Sequence, residues 1–281
     1  MTNQTISSDA ATTTSSTDYS INELMVVAAA RELRDGDLIF IGVGTAGRAF
    51  TLACGIPIAA ARLAQETHAP ELAIYWNNLL SPDLRQIPPR LTQHYLTTWP
   101  TSAQLHDCSD KNDMLSRGMF DVSFDSAPQV DRYGNLNITA IGDYRSPKRR
   151  LIGCLAQTDH FAYVARPLIL TDLKKRTFVE KVDFVTSVGH LSGGASRTDA
   201  GLRPGGPSRV ITDKAIFGFH EETKEMEVLS IHAGTSIGDV FAEMSFQPRV
   251  SDDVPVTLPP TTEEIRLIRE VIDPGGILLI S

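Results

Sequence analysis

Two adjacent amides, Asn77 and Asn78, follow the apolar run Leu72 to Trp76, which reads as a short strand. An asparagine pair at a strand end has two uses. Its N–H groups can donate to an oxyanion developing on a reacting carbonyl. The pair can also simply make a turn, because asparagine tolerates left-handed backbone. Cys154 offers a thiol nucleophile where a base supports it, and a small buried hydrophobe where none does. Asp159 and His160 offer an acid–base pair, although neighbours in sequence often point apart.

Glycines mark two further candidate loops. Gly42, Gly44 and Gly47 follow a predicted strand with the Gly-x-Gly-x-x-Gly spacing of dinucleotide-binding turns. The acidic residue such a site needs at the second strand end is missing, since Glu66 and Glu71 precede that strand, and the next helix is expected only from Pro57. Nicotinamide binding is thus a rival reading, which a nucleotide fluorescence titration addresses. Gly193-Gly194, Gly201 and Gly205-Gly206-Pro207 share a stretch with Arg197, Arg203 and Arg209, a composition suited either to holding phosphates or to a flexible surface or interface loop. The seven histidines show neither HxxxH nor HExxH spacing, so no metal is expected.

The elements that must position these groups alternate between helix and strand. Ser20 and Glu23 form a capping box ahead of the stripe Leu24, Val27, Ala28 and Leu33, with Gly36 as a stop. Leu38 to Ile41 is a continuously apolar strand of the kind buried on both faces. Pro57 opens a helix through Ile58, Arg62 and Leu63 toward His68, and Ala69-Pro70 leads into the strand ending at Trp76. Strand, helix, strand in this order predicts an open, mostly parallel sheet flanked by helices. Ser81 to Ser116 reads as a long, irregular, proline-rich connection. Asp131-Arg-Tyr-Gly-Asn135 is a turn between two strand-like runs, and Lys214–Phe219 with Met226–Ile231 reads as a hairpin. Thr261 and Glu264 form a second capping box, and Asp273-Pro-Gly-Gly276 ends the helix that follows. Residues 1–18 are expected to be a disordered tail and residues 19–281 one domain.

Bulk properties exclude several classes. A net charge of −8 over 281 residues argues against a nucleic-acid partner, which needs clustered Lys and Arg. No apolar run approaches the roughly 20 residues of a membrane span, and neither a secretory nor a transit signal fits the N-terminus. The three cysteines, Cys54, Cys108 and Cys154, lack CxxC spacing, so a reducing cytoplasm is the expected location.

Several segments, in order, resemble the B-type chain of glutaconate CoA-transferase and its relatives in family I of the CoA-transferases. They are Asp131-Arg-Tyr-Gly-Asn-Leu-Asn137 running into Ile141-Gly-Asp-Tyr144, Val182 to His190, Gly193-Gly194, Ala200-Gly-Leu202, and Glu263 to Glu270 with Ile272-Asp-Pro-Gly275. Gly55-Ile-Pro-Ile-Ala59 and Ala69-Pro70 match more loosely. The resemblance implies a Rossmann-like CoA-transferase fold with its site at the parallel-strand ends. It further implies an A-type partner subunit in a heterodimer or heterotetramer, a coenzyme A thioester as substrate, and no tightly bound cofactor. Gly55, Asp143, Tyr144, Gly153, Cys154, Asp159, Gly193 and Gly194 are the substrate-binding positions it suggests.

In that family a glutamate attacks the thioester and becomes first a mixed anhydride and then a glutamyl-CoA thioester. Its position falls on Asn77, and an amide cannot form the anhydride. The glycine-rich loop that helps cradle the thioester corresponds to Gly153 to His160, which keeps one glycine. Three readings remain open: a partner subunit supplies the glutamate; the pair performs another reaction, such as hydrolytic cleavage of a β-diketone ring or chain, with Asn77 and Asn78 as oxyanion donors; or the substrate is no CoA ester. A non-catalytic partner subunit is the rival from outside enzymology.

Overall fold

The computed structural model describes residues 18–44, 46–91 and 98–280. The expected N-terminal tail lies outside the described residues except for Asp18. Helix α1 (Ile21–Ala30) starts at the Ser20–Glu23 capping box, and each side chain of the box satisfies the other's backbone donor. Nearly all of α1 is buried rather than one stripe, since it packs against α3 below. The helix closes at Arg31, and Gly36, at φ 78°, serves the turn into β1 (Leu38–Ile41) instead.

The helix expected from Pro57 begins ten residues earlier. α2 (Gly47–Phe50) runs through a π-helical turn, Thr51–Gly55, into α3 (Ile56–Thr67). Such a turn lets one extra residue bulge from the helix, and here it meets the C-terminal segment. Thr51 Oγ1 donates to the Ile280 carbonyl, and a side chain at Gly55 would collide with the Leu278 carbonyl. β2 (Ala73–Trp76) follows.

Residues 81–116, expected to be irregular, carry two strands and a helix. β3 (Leu79–Pro82) and β4 (Thr101–Gln104) extend the sheet antiparallel to β2, and α4 (Cys108–Ser116) is capped by Asp107. Residues 92–97 of this stretch are outside the described set. The chain then gives β5 (Val122–Asp125), the short pairs β6 (Gln129–Val130) with β7 (Leu136–Asn137) and β8 (Ala140–Ile141) with β9 (Arg149–Arg150), α5 (Gln157–Tyr163) and β10 (Arg166–Leu170). It ends with α6 (Ser196–Asp199), β11 (Arg209–Ile211), the predicted hairpin β12 (Ala215–Phe219) and β13 (Met226–Ile231), α7 (Ile237–Ala242) and α8 (Thr262–Arg266).

Nine strands form the main sheet in the order β13-β12-β11-β10-β5-β1-β2-β3-β4. The central run from β11 to β2 is parallel, and both flanks are antiparallel. Strand alternation sorts side chains onto two faces. Ile39, Ile41, Ile74, Trp76, Val122 and Phe124 face the larger core with α1 and α3. Phe40 and Tyr75 face a smaller aromatic cluster with Phe120, Leu115 and Val164, beneath α4 and α5. Among the described residues no helix is long and apolar enough to cross a membrane.

Candidate active site at the strand ends

The candidate site lies where the parallel strands stop. Ile41 pairs with Trp76 on one side and with Phe124 on the other, so the next residues, Gly42, Asn77 and Asp125, form one row across three strands. Ligands of open α/β sheets gather at this edge.

Asn77 and Asn78 are the two central residues of the β2–β3 hairpin. Trp76 pairs with Leu79 across it, and both asparagines have positive φ, 47° and 67°. That is the signature of a tight two-residue turn of type I′, in which asparagine is favoured. The two amides nevertheless differ. Asn78 Oδ1 accepts from Tyr75 Oη at 2.7 Å, while the half-buried Asn77 side chain has no partner among the described residues. Burial pushes the Tyr75 hydroxyl up to about 12, so it stays a donor at any physiological pH.

The Gly42 loop is fixed from beneath. The Gly42 carbonyl accepts from Trp76 Nε1 at 3.1 Å and from Cys54 Sγ at 3.0 Å, while Gly44 N–H donates to Cys54 Sγ at 2.9 Å. Burial pushes the Cys54 thiol up to about 11. It therefore acts as a neutral tie between the loop and the π-helical turn, not as a nucleophile.

Asp125 forms a contact that sequence reading missed. Its Oδ1 accepts from His160 Nδ1 at 2.9 Å and its Oδ2 from Ser123 Oγ at 2.8 Å. The His160 and Asp125 side chains are 4% and 3% exposed, and His160 Nε2 is buried without a partner among the described residues. The imidazole lies on Phe40, ring centroids 3.8 Å apart, and Phe40 contacts Tyr75 at 4.9 Å. Facing a carboxylate, Nδ1 is the nitrogen that carries a hydrogen and donates. The Phe40 ring thus lies between the imidazole and Tyr75, the residue that holds Asn78.

The family model for coenzyme A transferase matches residues 22–243. The chain belongs to the coenzyme A transferase family. It is 35% identical over 257 residues to the B-type subunit of 3-oxoadipate CoA-transferase from Pseudomonas knackmussii, covering 89% of this chain and 92% of that one. The B-type subunit of glutaconate CoA-transferase from Acidaminococcus fermentans is 32% identical over 267 residues, covering 92% and 94%. A crystal structure of glutaconate coenzyme A-transferase from that organism superposes with a TM-score of 0.78 at 29% identity, over 94% of this chain and 98% of the other. The cholesterol ring-cleaving hydrolase IpdB subunit of Rhodococcus jostii is 28% identical over 229 residues, covering 79% and 83%. This coenzyme A transferase-family fold thus has similarity both to transferase subunits and to a subunit of a ring-cleaving hydrolase.

The remaining sequence candidates fall in different places. Gly153, at φ 84°, and the exposed Cys154 lie in the loop before α5. Cys154 Sγ accepts from Thr158 N–H at 3.2 Å and serves the helix start. Asp159 does not pair with His160, because successive helix residues diverge and the imidazole turns inward to Asp125. Asp143 spends its carboxylate on the Arg145 and Ser146 N–H groups of a turn. Tyr144 is exposed and stacks on Phe184. Gly55 is buried against Leu278, in the π-helical turn.

Gly193 and Gly194 lie at the opposite edge. Gly194 N–H donates to the Thr223 carbonyl in the β12–β13 turn, and β12 runs antiparallel to β11, so this turn sits beyond the beginnings of the parallel strands. A side chain at Gly193 would collide with Tyr133 and the Thr223 carbonyl. Gly193 allows close packing of the Asp131–Asn135 turn, whose Asp131 carboxylate accepts from Tyr133 N–H, Asn135 N–H and Asn135 Nδ2.

Proposed function

We propose that this chain is the B-type subunit of a heteromeric enzyme, paired with an A-type subunit, and that the pair acts at the carbonyl of an acyl-CoA thioester or a related acyl substrate. Asn77 stands where the family's nucleophilic glutamate is expected. An amide has no carboxylate to form an anhydride, so this chain forms no glutamyl-CoA thioester. Its part is to donate a hydrogen bond to the oxyanion that develops when the carbonyl is attacked. The attacking group is water or a side chain of the partner subunit.

The observation that carries this reading is the unspent Asn77 amide at the end of β2. Its neighbour Asn78 is held by Tyr75, the Gly42 loop is tied down by Trp76 and Cys54, and the turn geometry is fixed. A donor held in a rigid turn stabilises developing charge without reorganising first. The similarity to a ring-cleaving hydrolase subunit supports a carbonyl-cleaving reaction on this framework.

The test uses the co-purified heteromer turning over an acyl-CoA panel. Asn77→Ala is expected to lower kcat by roughly 100- to 1,000-fold, as loss of one oxyanion donor does, with the heteromer intact by light scattering. Mass spectrometry of this chain during turnover should show no CoA adduct. Full activity of Asn77→Ala, or a CoA-sized adduct on this chain, overturns the proposal.

A further inference from the structure

Gly55 stands where the backbone does not ask for glycine. Its φ of −61° and ψ of −56° are ordinary right-handed helix, in which alanine is the better residue. What excludes a side chain is the carbonyl oxygen of Leu278, which occupies the place of the missing Cβ. Leu278 is fully buried, and one carboxylate gathers the segment around it. Asp273, itself 8% exposed, accepts from the N–H groups of Ile277 at 2.7 Å, Leu278 at 3.1 Å and Leu279 at 3.0 Å. Gly276, at φ 62°, donates its N–H to the Asp273 carbonyl and turns the chain back so that these amides converge. The Ile280 carbonyl then accepts from Oγ1 of the fully buried Thr51 at 2.8 Å. Residues 273–280 thus form a hook that grips the π-helical turn Thr51–Gly55 at its first residue and its last.

The gripped turn is also what holds the candidate site from below. Cys54, next to Gly55, donates to the Gly42 carbonyl and accepts from Gly44 N–H. The same Gly42 carbonyl takes Nε1 of Trp76, the residue before Asn77. A π-helical turn inside a helix is rare and often marks a functional hinge. Relaxed to α-helix it would re-aim Cys54, since one residue of register is roughly 100° around the axis.

We propose that Asp273 and Thr51 are positioning residues for the reaction at the strand ends. The 273–280 hook keeps the π-helical turn in register, and through Cys54 and Trp76 it fixes the Gly42 loop beside the asparagine turn. The inference rests on the reading of Asn77 above and names the remote residues that hold its surroundings in place.

The experiment uses the co-purified heteromer with the full chain. Thr51→Val keeps the size and branching of the side chain and removes only the hydroxyl. The Ile280 residue is 42% exposed, so its carbonyl turns to water. Native-state labelling with N-ethylmaleimide, mapped by peptide mass spectrometry, separates Cys54 from the exposed Cys108 and Cys154. In Thr51→Val the Cys54 labelling rate is expected to rise about tenfold and kcat to fall about tenfold, the scale of one hydrogen bond, with KM within about twofold. Thr51→Ser, which keeps the hydroxyl, should restore both. Asp273→Asn, which sets an amide N–H group against the gathered backbone donors, should move both readouts the same way. If that variant fails to fold, Thr51→Val decides alone. Thr67→Val, at the far end of the same helix, is the control and should move neither. Unchanged Cys54 labelling in Thr51→Val overturns the proposal, even if Tm falls. Raised labelling with unaltered kcat overturns it as well, because the hook would then hold the loop without serving the reaction. So does a loss that Thr51→Ser fails to restore. Full activity of Asn77→Ala sinks the Asn77 reading instead, and is told apart because Cys54 labelling in that variant stays at the wild-type rate.

Discussion

The two edges of the parallel sheet use similar residue types to opposite ends. At the edge where the strands begin, Arg197 is buried and every N–H of its guanidinium is spent: Nε on the Arg203 carbonyl, Nη1 on Val188 and Gly189, Nη2 on Phe161 and Ala162. His190 Nε2 donates to the Pro207 carbonyl, and the glycines let the Tyr133 turn approach. At the edge where the strands end, the Asn77 amide and His160 Nε2 have no partner among the described residues. Glycines and arginines in this stretch suited either a phosphate-holding loop or a surface loop in the sequence, and in the fold the Arg197 guanidinium is spent on backbone carbonyls. What marks a site is polar capacity the fold leaves over.

The largest effect that could break this contrast is at Arg197. Arg197→Ala removes a strut that joins α5, the 188–189 segment and the Arg203 loop, and strands several buried carbonyls. We expect a loss of about 3–5 kcal/mol, from a cost of roughly 1–3 kcal/mol per unsatisfied buried group with partial relaxation. Denaturant unfolding of the heteromer measures it. Turnover per folded heteromer should stay near wild type. If stability barely moves and KM rises instead, the glycine loop holds ligand after all and the two edges are not opposites.

A smaller effect of the same kind concerns protons. Burial holds His190 well below its ordinary value, at about 4, with Lys224 and Arg197 adding to the depression and the bond to Pro207 opposing it. The unfolded chain binds this proton near pH 6.5 and the native chain only near pH 4. Stability is therefore fully present above about pH 6.5 and falls as the pH drops toward 4. The loss reaches about 3 kcal/mol, because each tenfold difference in proton affinity between the two states is worth roughly 1.4 kcal/mol. His232 is lowered by burial too and adds in the same direction. Subtracting the pH profile of His190→Gln from that of wild type isolates the His190 share. A flat difference between pH 6.5 and 4 would mean that the imidazole is not held neutral by this edge.

Much of the scaffold could be read without the structure, and the reasons are local. The two N-terminal caps, Ser20 with Glu23 and Thr261 with Glu264, name their partners three residues away. The β1 run and the β12–β13 hairpin show themselves by continuous or flanking apolar residues. β3 and β4 escaped notice because Pro82 and Pro100 border them and Thr101–Gln104 has hardly any apolar content, so the edge strand looks like loop. The early start of the second helix was hidden by Gly47 and by a π-helical turn that breaks the 3.6-residue period. For the site, the asparagine pair was visible, but which amide is free depends on Tyr75. The Asp125–His160 contact spans 35 positions and leaves no spacing signal, whereas Asp159 beside His160 suggested a pair that helix geometry forbids. The glycine loop lies at the other edge from the asparagine turn because an antiparallel strand returns the chain to where the parallel strands begin, a matter of topology that no local spacing shows.

The smallest change tests the site edge from within. Tyr75→Phe removes one hydroxyl, and with it the 2.7 Å bond that holds Asn78 Oδ1. Asn78 is half-buried and can take water instead, so the expected cost is about 1 kcal/mol, or roughly 2–4 °C in Tm. The Asn77–Asn78 turn should persist, since its positive φ values are set by the hairpin register and not by the tyrosine. Activity should then fall less than tenfold, through looser orientation of the turn, against roughly 100- to 1,000-fold for Asn77→Ala. If Tyr75→Phe costs as much activity as Asn77→Ala, the donor is Asn78, its amide aimed by the bond to Tyr75. The spent group and the free one at this turn would then have to exchange roles.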